Sequence, residues 1–316
     1  MGRLGGSDQD QDQDQDQDQD QDQSHGTGRS KTLQNSGVYA TQLEPGVFPA
    51  EPTGPDDADY KEAQRVANEF TYPEFWNPEL RAYVYLNEFL LENRTWQDQL
   101  TAAIEEKDLH GRLQREKGAQ LRRIMELSDE RDKRYAEILD QHGAEGAIKY
   151  WLRMLEITPG GAPATHQLIR IARRVGEHVV MCLKEQYHEA RPSHVCPAIM
   201  PLIEVPAHPS FPAGHALQSH LISKCLQAAK RTRNQPDMLF HLSRRVALNR
   251  VIAGLHYPLD NEAGVVAADK CFELLSKGTQ FKALVQDAQN ESARALESLE
   301  SRKARRQRER DAGPQS

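Results

Sequence analysis

Apolar residues recur at helical spacing through most of this chain. The clearest case is the segment 96–141, where one face of a helix would carry Leu100, Ile104, Leu109, Leu113, Leu121, Ile124 and Leu127. No stretch shows the apolar–polar alternation of a half-buried strand. The pattern therefore predicts an all-α fold, a helical bundle.

The same spacing predicts seven helices, with glycine or proline near several of their ends. They span residues 80–91, 96–141, 148–155, 164–188, 214–230, 236–253 and 262–276. The segment 189–213 holds six prolines, and proline removes a backbone donor and clashes with the preceding turn. We therefore expect no helix in that segment.

Polar sequence flanks the helical region on both sides. Residues 8–23 are eight Asp-Gln pairs, and with nothing apolar to bury the leader 1–37 is expected to be disordered. Residues 38–59 are rich in proline and glycine, which predicts an extended arm. Residues 60–285 then form one all-α domain. The charged C-terminal tail, 286–316, is expected to be a solvated helix or a frayed end.

Composition and charge argue against several classes of protein. The net charge of -7 over 316 residues disfavours a general nucleic-acid binder. No apolar run approaches the length of about 18 residues that a membrane span needs, and the first residues lack the apolar core of a secretion signal. We therefore expect a cytoplasmic protein without a membrane span. Four widely spaced cysteines form no CxxC pair, which disfavours a structural zinc or a disulfide framework.

The first group of residues with chemical potential is Lys184 and, seven positions later, Arg191 followed by Pro192. Seven residues make almost two helical turns, so a continuous helix would present both cations on one face. Lysine offers a compact point charge and arginine a planar fork of donors, and together they suit a phosphate-like anion. Taken alone, two such cations are more typical of a solvated surface.

The second group begins at His208 and ends at Ala213-Gly214-His215, where a proline-rich loop meets the next helical pattern. The backbone N–H groups of Gly214 and His215 are then expected at a helix N-terminus, where partial positive charge favours an anion. Glycine allows close approach of the ligand to the backbone. His215 can exchange a proton with the bound group. The plainer alternative is a loop histidine that caps the helix.

The third group runs from Arg250 through His256 to Asp260. The helix that carries Arg250 is expected to end before His256, because Gly254 and Pro258 flank that histidine. Asp260 is placed to accept the Nδ1–H of His256, which would fix the tautomer and raise its basicity. His256 is then a candidate nucleophile toward phosphorus, or an axial ligand to vanadium. A polar turn with an ordinary His–Asp hydrogen bond is the alternative.

In this order, the three groups resemble the signature of the type 2 phosphatidic acid phosphatase and vanadium haloperoxidase superfamily. That signature reads K-x6-RP, PSGH and SR-x5-H-x3-D, and the resemblance covers roughly residues 140–280. It implies an all-α bundle with one pocket for a tetrahedral oxyanion, phosphate or vanadate. By resemblance, the oxyanion is bound by Lys184, Arg191, Gly214 and Arg250.

The resemblance also implies roles for the other residues of the signature. His256 would attack the phosphate, or ligate vanadium when vanadate is the cofactor, with Asp260 behind it. His215 would act as acid and base on the leaving group or on bound peroxide.

Two positions depart from the signature, and several histidines near it are not placed by the sequence. Ala213 stands where the signature has serine, which removes a hydroxyl group that Ser210 is the candidate to replace. Asn249 stands for the serine before Arg250. The further histidines are His188, His194, His208 and His220, of which His188 is expected to be structural or solvent-facing.

Two chemistries remain open at this pocket. The string 208–216 and the pair His256-Tyr257 resemble bromoperoxidase-type sequences, which makes a vanadate-dependent haloperoxidase using peroxide and halide the first hypothesis. The alternative is a soluble acid-phosphatase-like enzyme that hydrolyses a phosphate monoester through a phosphohistidine and needs no cofactor. A third reading is an inactive phosphate-binding interaction protein. Its long charged helices are also compatible with a homo-oligomer.

Overall fold

The structure is a computed structural model that describes residues 77–142, 145–231 and 236–311, together with Ala58, Lys61 and Arg65. The chain divides into two units between Thr71 and Tyr72, and all elements below belong to the second unit. The leader 1–37 and, except for Ala58, the arm 38–59 lie outside the described residues.

The described residues are all-α, as the apolar spacing predicts, and contain no strand. From residue 77 on, the described α-helices are α1 Pro78–Glu92, α2 Trp96–Glu106, α3 Leu109–Leu127, α4 Arg131–Asp140, α5 Ile148–Met154, α6 Pro163–Tyr187, α7 Pro192–Val195, α8 Gly214–Ala228, α9 Pro236–Ile252, α10 Pro258–Leu275 and α11 Thr279–Asp311. No helix in this part of the chain is long and apolar enough to cross a membrane.

Helix α8 is central to the bundle. It packs against α6, α9 and α10, while α1 and α11 lie against α6, and α2 and α3 against α10. At the crossing of α8 with α10, a Cβ on Gly264 would lie 2.7 Å from the carbonyl oxygen of Ala213. Glycine is therefore required for this close approach. The crossing sets the beginning of α8 beside the first half of α10.

The predicted helix 96–141 is wrong as a single element, because the structure divides it into α2, α3 and α4. The first break is at Asp108, which has a φ of 50°. Aspartate tolerates this left-handed conformation better than most residues. The second is a 3₁₀ turn, Ser128–Glu130. Apolar spacing continues across both breaks, so it does not reveal them.

Two predictions are wrong because proline, which disrupts the interior of a helix, is well suited to its first turn. The segment 189–213 contains the short α7 and a 3₁₀ turn, Pro197–Ile199, contrary to the expectation of no helix. Helix α10 begins at Pro258, four residues before the predicted start. In all three elements proline occupies the first turn, where its missing N–H costs no hydrogen bond.

Helix α11 runs unbroken past residue 285, where the charged tail was predicted to begin. The early part of α11 is integral to the bundle, since Ala288, Glu291 and Ser292 are buried. Both carboxylate oxygens of Glu291 accept hydrogen bonds from the backbone of the first turn of α6, at 2.7 and 2.9 Å. Beyond residue 293 the described side chains are exposed, as expected for a solvated helix.

Candidate active site

The bundle encloses a cavity of about 270 Å³ where the C-terminal end of α6 meets the N-terminal end of α8. Six of the seven site residues proposed from the sequence line it, namely Lys184, Arg191, Gly214, His215, Arg250 and His256. The seventh, Asp260, is fully buried and hydrogen-bonded to His256. The three sequence groups therefore meet at one site.

Lys184 comes from the last turn of α6 and is only 1% exposed. Its Nζ donates to the carbonyl oxygens of Pro209 at 2.5 Å and Ser210 at 2.7 Å, which attaches the proline-rich loop to α6. Burial, and next the positive charge of Arg191, hold the pKa of Lys184 well below its usual value. A bound anion would offset both effects.

Arg191 does not lie on the helix of Lys184, contrary to the prediction from their spacing. Helix α6 ends at Tyr187, His188 takes a left-handed conformation with φ 47°, and Arg191 precedes α7. The turn at His188 nevertheless places the Arg191 guanidinium in the same cavity as Lys184. Its Nε donates to the carbonyl oxygen of His208, and its Nη1 to that of Leu255, both at 3.0 Å. These bonds fix the orientation of the fork.

Arg250, from the last turn of α9, is 1% exposed and has donors to spare. Its Nη2 donates to the carbonyl oxygen of Ile138 at 2.9 Å. Its Nε and Nη1 are buried without a hydrogen-bond partner among the described residues. A buried guanidinium N–H without an acceptor is costly, so an anion in the cavity would supply what the protein does not. We call Lys184, Arg191 and Arg250 the cation cradle.

His256 lies in the turn between α9 and α10, held from behind by Asp260. The Asp260 carboxylate oxygen Oδ2 lies 2.9 Å from His256 Nδ1 and also accepts from the Ser210 hydroxyl at 2.5 Å and the Tyr257 N–H at 3.0 Å. With Nδ1–H donating to Asp260, Nε2 is the unprotonated nitrogen, and Arg191 Nη1 lies 3.2 Å from it.

Burial governs the protonation of this pair. It lowers the pKa of His256 well below its usual value, and the nearby Arg191 and Lys184 act in the same direction. Burial raises the pKa of Asp260 to about 6, against the lowering effect of the Ser210 hydrogen bond. At neutral pH the pair is therefore a neutral imidazole and a carboxylate, with the lone pair of His256 Nε2 accepting from Arg191 Nη1.

Helix α8 begins at Gly214, as predicted, and no side chain caps its first turn. A Cβ on Gly214 would make only an ordinary contact, 3.6 Å from Val180. Packing against neighbouring protein atoms therefore does not require a glycine at position 214. The absence of a side chain there leaves the backbone of Gly214 accessible from the cavity. His215 Nε2 lies 3.4 Å from the carbonyl oxygen of Gln141. Burial, and next the charge of Arg250, lower the pKa of His215 to about 3.

The two departures from the signature have different consequences. Ser210 does not line the cavity; its hydroxyl bonds to Asp260 and lies 3.3 Å from His256 Nδ1, so it does not stand in for a serine hydroxyl at Ala213. Asn249 is fully buried behind the cradle. Its amide nitrogen donates to Glu137 and Gln141 of the α4 region, both at 2.9 Å, and thus holds α9 against α4.

One histidine that the sequence did not place belongs to the site. His208 lines the cavity, and its Nδ1 accepts a hydrogen bond from Arg191 Nη2 at 3.0 Å. Burial, and next the charge of Lys184, lower the pKa of His208 to about 4. The only sequence feature that could have assigned His208 to the site is its position at the beginning of the proline-rich loop. His188 and His194 are exposed, which agrees with the expectation for His188.

The donor set of this site suits an oxyanion better than a bare metal cation. Three buried cations and the start of α8 face the cavity, and the unprotonated Nε2 of His256 lies 3.2 Å from one of those cations, Arg191. Among the described residues, no group of three or more His, Cys, Asp or Glu side chains is arranged to hold a metal ion. The residues present would fit vanadate: the cations of the cradle and the Gly214 N–H would hold its oxygens, and His256 Nε2 would ligate vanadium.

Comparison with known proteins adds no assignment. No protein-family model matches the chain. No curated protein matches it significantly.

Proposed function

We propose that this protein binds vanadate in the cation cradle and catalyses the oxidation of halide by peroxide, in the manner of a vanadium haloperoxidase. The observation that carries the proposal is Arg250, whose Nε and Nη1 are buried beside Lys184 and Arg191 without an acceptor among the described residues. Buried cations that face a common cavity and retain spare donors bind oxyanions strongly.

Vanadate would be held by the cradle on its oxygens, together with the Gly214 N–H, and by His256 Nε2 on vanadium. When bound, it supplies a Lewis-acid centre of fixed oxidation state that polarises peroxide toward attack by halide. Asp260 holds the proton on His256 Nδ1 and keeps Nε2 unprotonated, so that Nε2 could exchange its hydrogen bond from Arg191 for a bond to vanadium.

His215 has a proton-transfer role in either function. Burial and the charge of Arg250 lower its pKa to about 3, which makes it a neutral imidazole when no anion is bound. A neutral imidazole is suited to accept the proton that hydrogen peroxide loses on binding. In a phosphatase the negative charge of the bound phosphate would favour the protonated imidazole, which donates to the leaving group.

A phosphomonoesterase is the second candidate, and the shape of the cavity favours it. The lining continues beyond the cradle to Trp151, Arg173 and Ile222, which leaves room for the organic part of an ester. His256 Nε2 would attack phosphorus, the phosphoryl group would pass to Nε2, and the leaving oxygen would take a proton from His215. Water would then hydrolyse the phosphohistidine.

One pair of assays separates the two functions. Purified protein is supplied with vanadate, hydrogen peroxide and bromide, and halogenation of a dye is followed. In parallel, p-nitrophenyl phosphate is supplied without vanadate. We expect vanadate-dependent halogenation that is lost in His256→Ala. Phosphate release inhibited by vanadate, with no halogenation, would replace the proposal with the phosphatase.

A further inference from the structure

The C-terminal end of α4, together with the next residue Gln141, contacts the candidate site through its backbone. The carbonyl oxygen of Ile138 accepts a hydrogen bond from Arg250 Nη2 at 2.9 Å. The carbonyl oxygen of Gln141 lies 3.4 Å from His215 Nε2. The last carbonyl groups of a helix lack partners within it and carry partial negative charge. The directions of Arg250 and His215 therefore depend on where this end of α4 lies.

Asn249 of α9 holds this end of α4 in place. Its Nδ2 donates to the side-chain oxygens of Glu137 and Gln141, both at 2.9 Å. Its Oδ1 accepts from Arg134 Nη1 at 2.9 Å. Arg134 can only donate and the Glu137 carboxylate can only accept, which fixes the orientation of the amide. Both N–H groups and the oxygen of this fully buried side chain are thus used to join α9 to α4.

Glu137 fixes the α4 side of this network. Its carboxylate accepts from Arg245 Nε at 2.7 Å and Nη2 at 2.5 Å, a two-point contact with a second residue of α9. Gln141 Nε2 donates to the same carboxylate at 3.1 Å. Burial acts to raise the pKa of Glu137, but the hydrogen bonds from Arg245 and Asn249 outweigh it and hold that pKa below its usual value. The carboxylate is therefore ionised at neutral pH and accepts from all three donors.

The network adjoins the cradle but not the cavity. Asn249 directly precedes Arg250 in α9, and neither Asn249 nor Glu137 lines the cavity. Burial lowers the pKa of Arg250 to about 10, and the negative charge of Glu137 is the largest effect that opposes this. The serine that the signature has at position 249 would offer one hydroxyl donor and could not serve two acceptors at once. The amide of Asn249 therefore makes a connection that the signature residue could not make.

We propose that Asn249 and Glu137 are positioning residues, which set the directions of Arg250 and His215 toward the bound anion through the end of α4. Without this network the two backbone carbonyl oxygens would shift, and the spare donors of Arg250 would lose their alignment with the ligand. Residues that orient the direct ligands of a bound ion typically change its affinity by about 10- to 100-fold when they are replaced. The inference rests on the anion site of the proposed function, and it applies to vanadate and phosphate alike.

The test is the affinity for inorganic phosphate, measured by calorimetry on the whole protein at one pH and ionic strength. Asn249→Asp keeps the size of the side chain but loses both N–H donors and places a second carboxylate beside Glu137. We expect it to weaken phosphate binding about tenfold. The double variant Asn249→Asp/Glu137→Gln exchanges the carboxylate and the amide, which restores a donor opposite an acceptor at unchanged net charge. It should bind phosphate within about threefold of the original protein.

Glu291→Gln is the matched control, because Glu291 is also a buried carboxylate that joins two helices and does not line the cavity. Its phosphate affinity should stay within about twofold, even where urea unfolding shows a loss of stability like that of Asn249→Asp. Should Asn249→Asp not fold, Asn249→Ser gives the same comparison with one donor retained.

Three results would overturn the inference: unchanged affinity in the folded Asn249 variant, no recovery in the double variant, or an equal loss in the control. Failure of the original protein to bind phosphate would instead overturn the anion site itself, and the proposed function with it.

Discussion

The two ends of α6 carry positive charge in opposite ways. Near its N-terminal end, Arg170 donates to Glu79 at 2.5 Å and to Glu145 at 2.6 Å. Near its C-terminal end, Lys184 donates only to backbone carbonyl oxygens. Among the described residues, no carboxylate forms an ion pair with any cation of the cradle.

The difference separates a structural cation from a functional one. The guanidinium of Arg170 has its charge balanced inside the protein, so its ion pairs hold α6 to α1 and to the turn before α5. The cradle has its donors oriented by carbonyl groups, which balance no net charge. The carboxylate of Asp260 offsets part of the charge of Lys184 and Arg191. The remaining charge is left for a ligand, because burying cations that are not fully compensated costs stability that a bound anion returns.

The largest expected effect follows from a comparison of two His–Asp pairs. His256 with Asp260 lies in the cavity, while His220 with Asp269, at 3.2 Å, joins α8 to α10 beside solvent. We expect His256→Ala to lower kcat about a thousandfold or more, because it removes the group that bonds to the reacting centre. His220→Ala should stay within about twofold. Halogenation and phosphatase rates measure both variants, with circular dichroism as the check on folding. Equal losses in the two variants would contradict the assignment.

The second prediction compares the loss of one cation of the cradle, Arg250, with the loss of one ion-paired cation, Arg170. Arg250→Met should weaken binding of vanadate or phosphate about 30- to 100-fold, since it removes charge-assisted hydrogen bonds to the anion. Arg170→Met, which lies outside the cavity, should change that affinity by less than about twofold. Stability should respond in the opposite order when no anion is added. Urea unfolding should show Arg170→Met as the less stable variant, because it leaves Glu79 and Glu145 with one partner fewer.

The third prediction concerns Ser210, which contacts the His–Asp pair and not the cavity. Ser210→Ala should lower kcat about tenfold, because Asp260 loses a hydrogen bond that orients it and favours its ionised form. Ser210→Thr keeps the hydroxyl and should recover most of the rate. The acid limb of the pH–rate profile should move to higher pH in Ser210→Ala, since the pKa of Asp260 rises. An unchanged profile would reduce Ser210 to a packing role.

The last prediction concerns stability against pH. The pKa of His208 is lowered to about 4 and that of His215 to about 3. The unfolded chain protonates these histidines near pH 6.5 while the folded chain keeps them neutral, so stability falls as the pH drops from about 6.5 toward 4. Each contributes at most about 1.4 kcal/mol per pH unit. Asp260, with its pKa raised to about 6, acts in the opposite sense over part of this range.

Urea unfolding at pH 7.0 and pH 5.5 measures this effect. Added phosphate should make the loss of stability smaller, because an anion in the cradle favours the protonated histidines. Stability that rises on acidification would show that Asp260 outweighs the histidines.

Much of the site could be predicted from local sequence. Gly214 at the start of α8 follows from a proline-rich loop that meets an apolar periodicity, and the bond from His256 to Asp260 follows from their spacing around Pro258. The shared helical face of Lys184 and Arg191 could not be predicted correctly, since the helix ends four residues before Arg191. The chain reverses at His188, and spacing along a sequence carries no information about such a turn.

By itself the sequence determined the helical class, the identity and order of the cationic and histidine groups, and the helix starts at Gly214 and Pro236. These follow from periodicity and from backbone chemistry that act within a few residues. Only the tertiary structure decided which cations are neutralised. Arg170 and Glu79 are 91 residues apart, Ser210 and Asp260 are 50 apart, and His208 reaches Arg191 only because the loop folds back over α6. Contacts at such separations depend on how whole helices pack, and the local pattern does not encode that packing.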